Sequence, residues 1–138
     1  MPRSADVPEA GLSLAVMAEA LYLSNLLLMP GLSFLVLLWL WWRHRGQAPA
    51  LARAHLAQTV SASLWAGVLL VAFNAVIVLL GGYDGPWTWV VVITYFTFCH
   101  SALVVFGAYG LAKAMAGQCW RYPLLGRPLP DGCSGGLS

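Results

Sequence analysis

The chain is a series of long apolar stretches separated by short polar punctuation. From Gly11 to Trp42 the only ionisable carboxylate or base is Glu19. A membrane-crossing helix needs about 20 apolar residues at about 1.5 Å of rise each, and this run is longer. Pro30, followed by Gly31, removes a backbone hydrogen bond and predicts a kink. The reading is a first span over Leu21 to Trp42, long and kinked at Pro30. Residues 10–20 form its extension or an interfacial turn carrying Glu19. A re-entrant pair broken at Pro30 is the other reading, with Leu32 to Trp42 too short to cross alone. A basic loop follows, and a second span covers about Leu56 to Leu80. Gly81-Gly82-Tyr83-Asp84-Gly85-Pro86 is a tight polar turn. A third span runs from about Trp87 to Leu111, continuing as helix to Ala116, with Gly117 as its stop. Pro123, Pro128 and Pro130 forbid a further regular helix. The segments are an N-terminal extension (1–20), a three-helix membrane domain (21–125) and a flexible Gly/Ser-rich tail (126–138).

Composition turns this pattern into a class. Of 138 residues, 60% are hydrophobic and only 9% are charged. A soluble fold of this size could not hide so much apolar surface, whereas lipid accepts it. The expected architecture is an all-α integral membrane protein with three transmembrane helices. Cation placement orients it. Arg43, Arg45 and Arg53 share one loop, and Lys113, Arg121 and Arg127 follow the third span on the same side. Only Arg3 lies opposite. Six of the 7 basic residues on one side predict an N-out, C-in, multi-pass protein of the bacterial inner membrane. The apolar run continues past Leu40, so no cleaved signal is expected. The net charge of +2 is too small and scattered for nucleic acid. Cys99, Cys119 and Cys133 show no CxxC spacing and are expected as reduced thiols.

Candidate chemistry is sparse. Trp39, Trp41 and Trp42 running into Arg43-His44-Arg45 mark an interface, and so do Trp120, Arg121 and Tyr122 with His55 on the same side. His55 is positioned to hydrogen-bond the returning C-terminal segment. His100, near mid-membrane between Cys99 and Ser101, is the one candidate cofactor contact. A haem or a quinone is the ligand it could take, against the alternative of a histidine bonded to a neighbouring helix. Asn74 and Thr94 lie at similar depth and could meet across two helices. Gly107 and Gly110, with Ala108, Ala112 and Ala116 at four-residue spacing, allow close helix approach, within the chain or to a partner subunit. No nucleophile–base pair, paired carboxylates, metal-ligand spacing or phosphate loop is visible, so enzyme activity is not expected.

Two segments resemble a family. Ala54-His55-Leu56-Ala57-Gln58 is similar to the His-Ala-x-Gln stretch opening the second span of a widespread group of small bacterial membrane proteins. Lys113-Ala114-Met115-Ala116-Gly117-Gln118-Cys119-Trp120-Arg121-Tyr122-Pro123-Leu124 resembles that group's ending. The group is a domain of unknown function, related to a small (Tic-twenty-like) component of the chloroplast inner-envelope translocon. The likeness covers about Leu21 to Leu125, and departs at Ser61, where the group usually has asparagine. It implies three or four helices and no established enzyme activity. The expected function is a non-catalytic subunit or assembly factor of a larger membrane complex, with lipid and other integral membrane subunits as partners. A redox module using His100 and a translocation component are the alternatives.

Overall fold

The computed structural model describes residues 11–133. The expectations for Arg3 and for residues 134–138 of the tail lie outside them. Among the described residues the chain is helical, without strands. The helices are α1 (Leu12–Leu27), α2 (Leu32–His44), α3 (Ala50–Leu79), α4 (Thr88–Thr94) and α5 (Ser101–Met115), with a π-helical stretch, Tyr95–His100, joining α4 to α5. The last three pieces form one continuous helix, Thr88–Met115. Two helices, this one and α3, are long and apolar enough to cross a membrane. They match the second and third sequence-predicted spans.

The first span is corrected. Leu21 to Trp42 is not one kinked helix but parts of two that fold back on each other. Pro30 and Gly31, the latter at φ 86°, reverse the chain because glycine accepts the left-handed region without a Cβ clash. The Gly31 amide donates to Asn25 Oδ1 at 2.9 Å. The Ser24 and Ser33 hydroxyls bond across the turn at 2.9 Å. Ala18 and Tyr22 of α1 then share a core cluster with Leu37 and Leu40 of α2. Gly11, at the start of α1, lies against Pro49 and Ala52. The hairpin therefore begins and ends at the basic end of the molecule, where the sequence reading has an N-terminus on the opposite side. A boundary at residue 20 also cuts through α1.

Two halves follow. The basic half is a four-helix bundle whose α3 face, Leu51 to Ser63, is almost wholly buried. The far half is α3 and its antiparallel partner alone, with Val71, Leu79, Trp89 and Phe98 exposed. The two long helices join through a glycine turn in which the Gly82 amide reaches back to Ile77 O at 3.0 Å, a helix-ending bond. Asn74 does not meet Thr94. It stays on its own side of the turn, accepting from Tyr83 Oη at 2.8 Å and donating to Leu70 O at 2.7 Å.

Candidate functional site

The basic half carries a buried polar cluster under a loop. Glu19 and Tyr22 lie three residues apart on α1, and His55 and Gln58 three apart on α3, so each pair projects from one helix face. Glu19, Tyr22, His55 and Gln58 are all fully buried. Two glycines of α5 make room. A Cβ at Gly110 would come within 2.6 Å of the Glu19 carboxylate, and one at Gly107 within 2.6 Å of the Tyr22 ring.

The loop forms because α5 stops at a left-handed glycine. Gly117, at φ 70°, sends Gln118 back over the bundle, and the Gln118 amide bonds Lys113 O at 2.9 Å. Gln118 O then accepts from His55 Nε2 at 2.8 Å, which is the contact expected between His55 and the returning segment. Beyond it, Tyr122 is buried and its hydroxyl donates to Glu19 Oε2. Gln58 grips the loop through Arg127: its Nε2 donates to Arg127 O at 2.6 Å and its Oε1 accepts from Arg127 N at 3.0 Å. Ser61 Oγ donates to Leu125 O at 2.7 Å. Cys133 returns to Ala50, and a disulfide joins Cys119 to Cys133 across a separation of 14 residues. This corrects the expectation of reduced thiols there. The pairing depends on the loop path, which the spacing alone does not reveal. Cys99 is free.

His55 Nδ1 and Glu19 Oε1 lie 2.6 Å apart. A backbone carbonyl can only accept, so Nε2 must carry a proton. Glu19 and His55 thus share one further proton along the Nδ1–Oε1 axis, and either placement leaves the pair neutral overall. That neutrality is what lets two ionisable groups stay buried. Burial, and then the adjacent Glu19 carboxylate, push the Tyr122 phenol far above its ordinary ionisation range. It therefore stays a hydrogen-bond donor.

The other sequence-predicted residues are scattered. Trp42, Arg43 and Arg45 are exposed, and Trp41 partly so. Arg43 lies over the Trp39 ring at 5.8 Å and Arg45 over Trp41 at 5.3 Å. Arg121 is exposed. His55 and Tyr122 are buried, both bonded to Glu19. Trp120 is half-buried, its ring centroid 4.8 Å from that of Tyr109, edge-on, and 4.8 Å from that of Tyr122, tilted. The small-residue stripe divides: Gly107 and Gly110 pack on α1, whereas Ala108, Ala112 and Ala116 are exposed. His100 lies away from the cluster, beside Phe96 and Tyr95. Glu19, expected near the outer headgroups, is the centre of the site. One signal could have found it, namely two polar pairs at helical spacing in otherwise apolar helices, each needing a partner. Among the described residues no group of three or more His, Cys, Asp or Glu could hold a metal ion.

Among the described residues, fold and site together define a helical protein with two helices long and apolar enough to cross a membrane and an ionisable core covered by its own C-terminal loop. A family model described as the magnetosome magnetite crystal formation protein family matches residues 13–129. The chain belongs to that MamF/MmsF family, which is linked to magnetite formation in magnetosomes. The match spans α1 to the Arg127 clamp, and it lends no support to a translocon relationship. Comparisons with curated proteins and with solved structures give no significant match.

Proposed function

We propose that this chain is a non-catalytic integral component of the magnetosome membrane, serving magnetite formation as a subunit or assembly factor of a larger membrane complex. The observation that carries the reading is the division of the molecule. The buried Glu19 and His55 are paired within the basic half, while α3 and its partner project a two-helix arm whose outer apolar side chains, Val71, Leu79, Trp89 and Phe98 among them, are uncovered. Such an arm suits lipid and the helices of neighbouring subunits.

Helix lengths support a reading of the arrangement in the bilayer. The 30 residues of α3 span about 45 Å, close to a full bilayer with headgroups. The 16 residues of α1 reach about 24 Å, short of the roughly 30 Å hydrocarbon layer. The tip of the α1–α2 hairpin is apolar, with Leu27, Leu28 and Met29 exposed, unlike a loop that emerges into water. We therefore read two full crossings plus a re-entrant hairpin, in place of three spans, with the basic end on the cytoplasmic side of a multi-pass protein.

Extraction in mild detergent, with companion chains identified by mass spectrometry, tests the assembly role. Reproducible co-purification of other magnetosome membrane proteins is the expected result. A monomer carrying only lipid, from cells that are forming magnetite, would refute it.

A further inference from the structure

Where the hairpin tip meets the long helices lies a cleft of about 410 Å³. Asn25 and Phe34 line it from the hairpin, Ser63 from α3, and Tyr95, Phe96 and His100 from the π-helical stretch. That stretch shapes the wall. The Ser101 amide and its hydroxyl both bond back to Phe96 O, the hydroxyl at 2.8 Å. The wider turn brings residues five apart, Tyr95 and His100, to one side.

The polar groups here each have an N–H or O–H with no acceptor in the fold. Among the described residues His100 has only ring contacts, at 5.2 Å to Phe96 and 6.3 Å to Tyr95. The Ser63 hydroxyl is buried and has no partner. Asn25 spends its oxygen on Gly31 and keeps its NH2. The opening is flanked by the exposed apolar residues Leu64 and Leu70 of α3, so the entrant comes from lipid. A plain acyl chain would leave the donors unpaired. A planar ring bearing carbonyl oxygens would satisfy them while stacking on the aromatic residues.

We propose that this cleft binds the head group of a lipid-soluble quinone, its carbonyl oxygens accepting from His100, Asn25 and the Ser63 hydroxyl. The site lies apart from the sealed Glu19 cluster and is independent of the assembly role.

Calorimetric titration of decylubiquinone into the full chain in lipid nanodiscs tests it. Saturable one-to-one binding is expected, weakened at least tenfold by His100→Phe, which keeps a ring but removes the N–H. Ser63→Ala removes a hydroxyl that no fold contact uses, and weakens binding by a smaller factor. Decylbenzene does not compete. Uptake no different from empty nanodiscs, or affinity unchanged in both variants, would overturn the site. Competition by decylbenzene would mean an alkyl groove only and overturn it too. Helical content and melting of each variant are measured alongside. Should His100→Phe not fold, Ser63→Ala decides.

Discussion

Glu19 is fully buried, and three features make that tolerable: the proton shared with His55, the Tyr122 hydroxyl and the space left by Gly110. Removing one partner strands the others. Glu19→Leu should destabilise the protein by about 3–5 kcal/mol, and adding His55→Leu should recover only part of that loss, since it removes the stranded imidazole but leaves the Tyr122 hydroxyl and Gln118 O unpaired. Unfolding in mixed micelles measures both. Gly110→Ala drives a methyl into the carboxylate and should cost about 1–3 kcal/mol. Gly67→Ala, with nothing within 4 Å of the new Cβ, should be neutral or stabilise by up to about 1 kcal/mol. Tyr122 offers a pH test. Its raised ionisation means that stability from this phenol is fully present below its unfolded value of about 10 and is lost only as pH rises through the higher folded value. Ultraviolet titration should therefore show the same phenolate amplitude in wild type and Tyr122→Phe up to about pH 11, with a difference only on unfolding.

At the scale of elements, apolar length was the legible feature, and direction was not. Leu56 to Leu80 and Trp87 to Ala116 read correctly as long helices because their few polar residues interrupt neither the apolar run nor the helix, and no proline breaks them. The α1–α2 region misled because a proline-glycine pair in an apolar run is compatible with either a bend or a reversal. What decides is whether residues before it can pack on residues after it, and the core of Ala18, Tyr22, Leu37 and Leu40 is a tertiary fact. The site was half legible. The His55–Gln118 contact follows from both lying at the basic end, but its third member is Glu19, whose depth depends on the reversal. The hairpin can be tested directly. Single cysteines at Ser13 and Arg45, in a chain with its native cysteines replaced, should label from the same side of a sealed vesicle with an impermeant maleimide, and one at Tyr83 from the other. Labelling of Ser13→Cys with the Tyr83→Cys side would remove the hairpin.

For the whole molecule, the disulfide-closed loop is the lid of the bundle rather than a tail. Opening it by Cys133→Ser should free the return strand from Ala50 and reduce stability by up to about 3 kcal/mol, the entropy of a loop near 15 residues. Limited proteolysis with a broad-specificity protease should then cut beyond the Arg127 clamp, between Pro128 and Cys133, while Gln118 to Tyr122 stay protected by His55 and Glu19. A paired Cys119–Cys133 also bears on sidedness. Such bonds persist in oxidising compartments, whereas the cations argue for a cytoplasmic basic end. Thiol trapping with and without reductant, on intact vesicles, reads the two against each other.

The order in which the cluster is completed matters during synthesis. Glu19 emerges early, while Tyr122 follows it by 103 residues. At about 5–20 residues per second, the carboxylate waits roughly 5–20 s for its last donor. Throughout that interval the hairpin carries an incompletely satisfied polar group and is poorly held. A chain that terminates early never receives its lid, so full translation becomes a condition for a stable bundle. A chain truncated after Gln118 should accordingly accumulate to a lower level than the full chain, which quantitative immunoblotting of membranes checks.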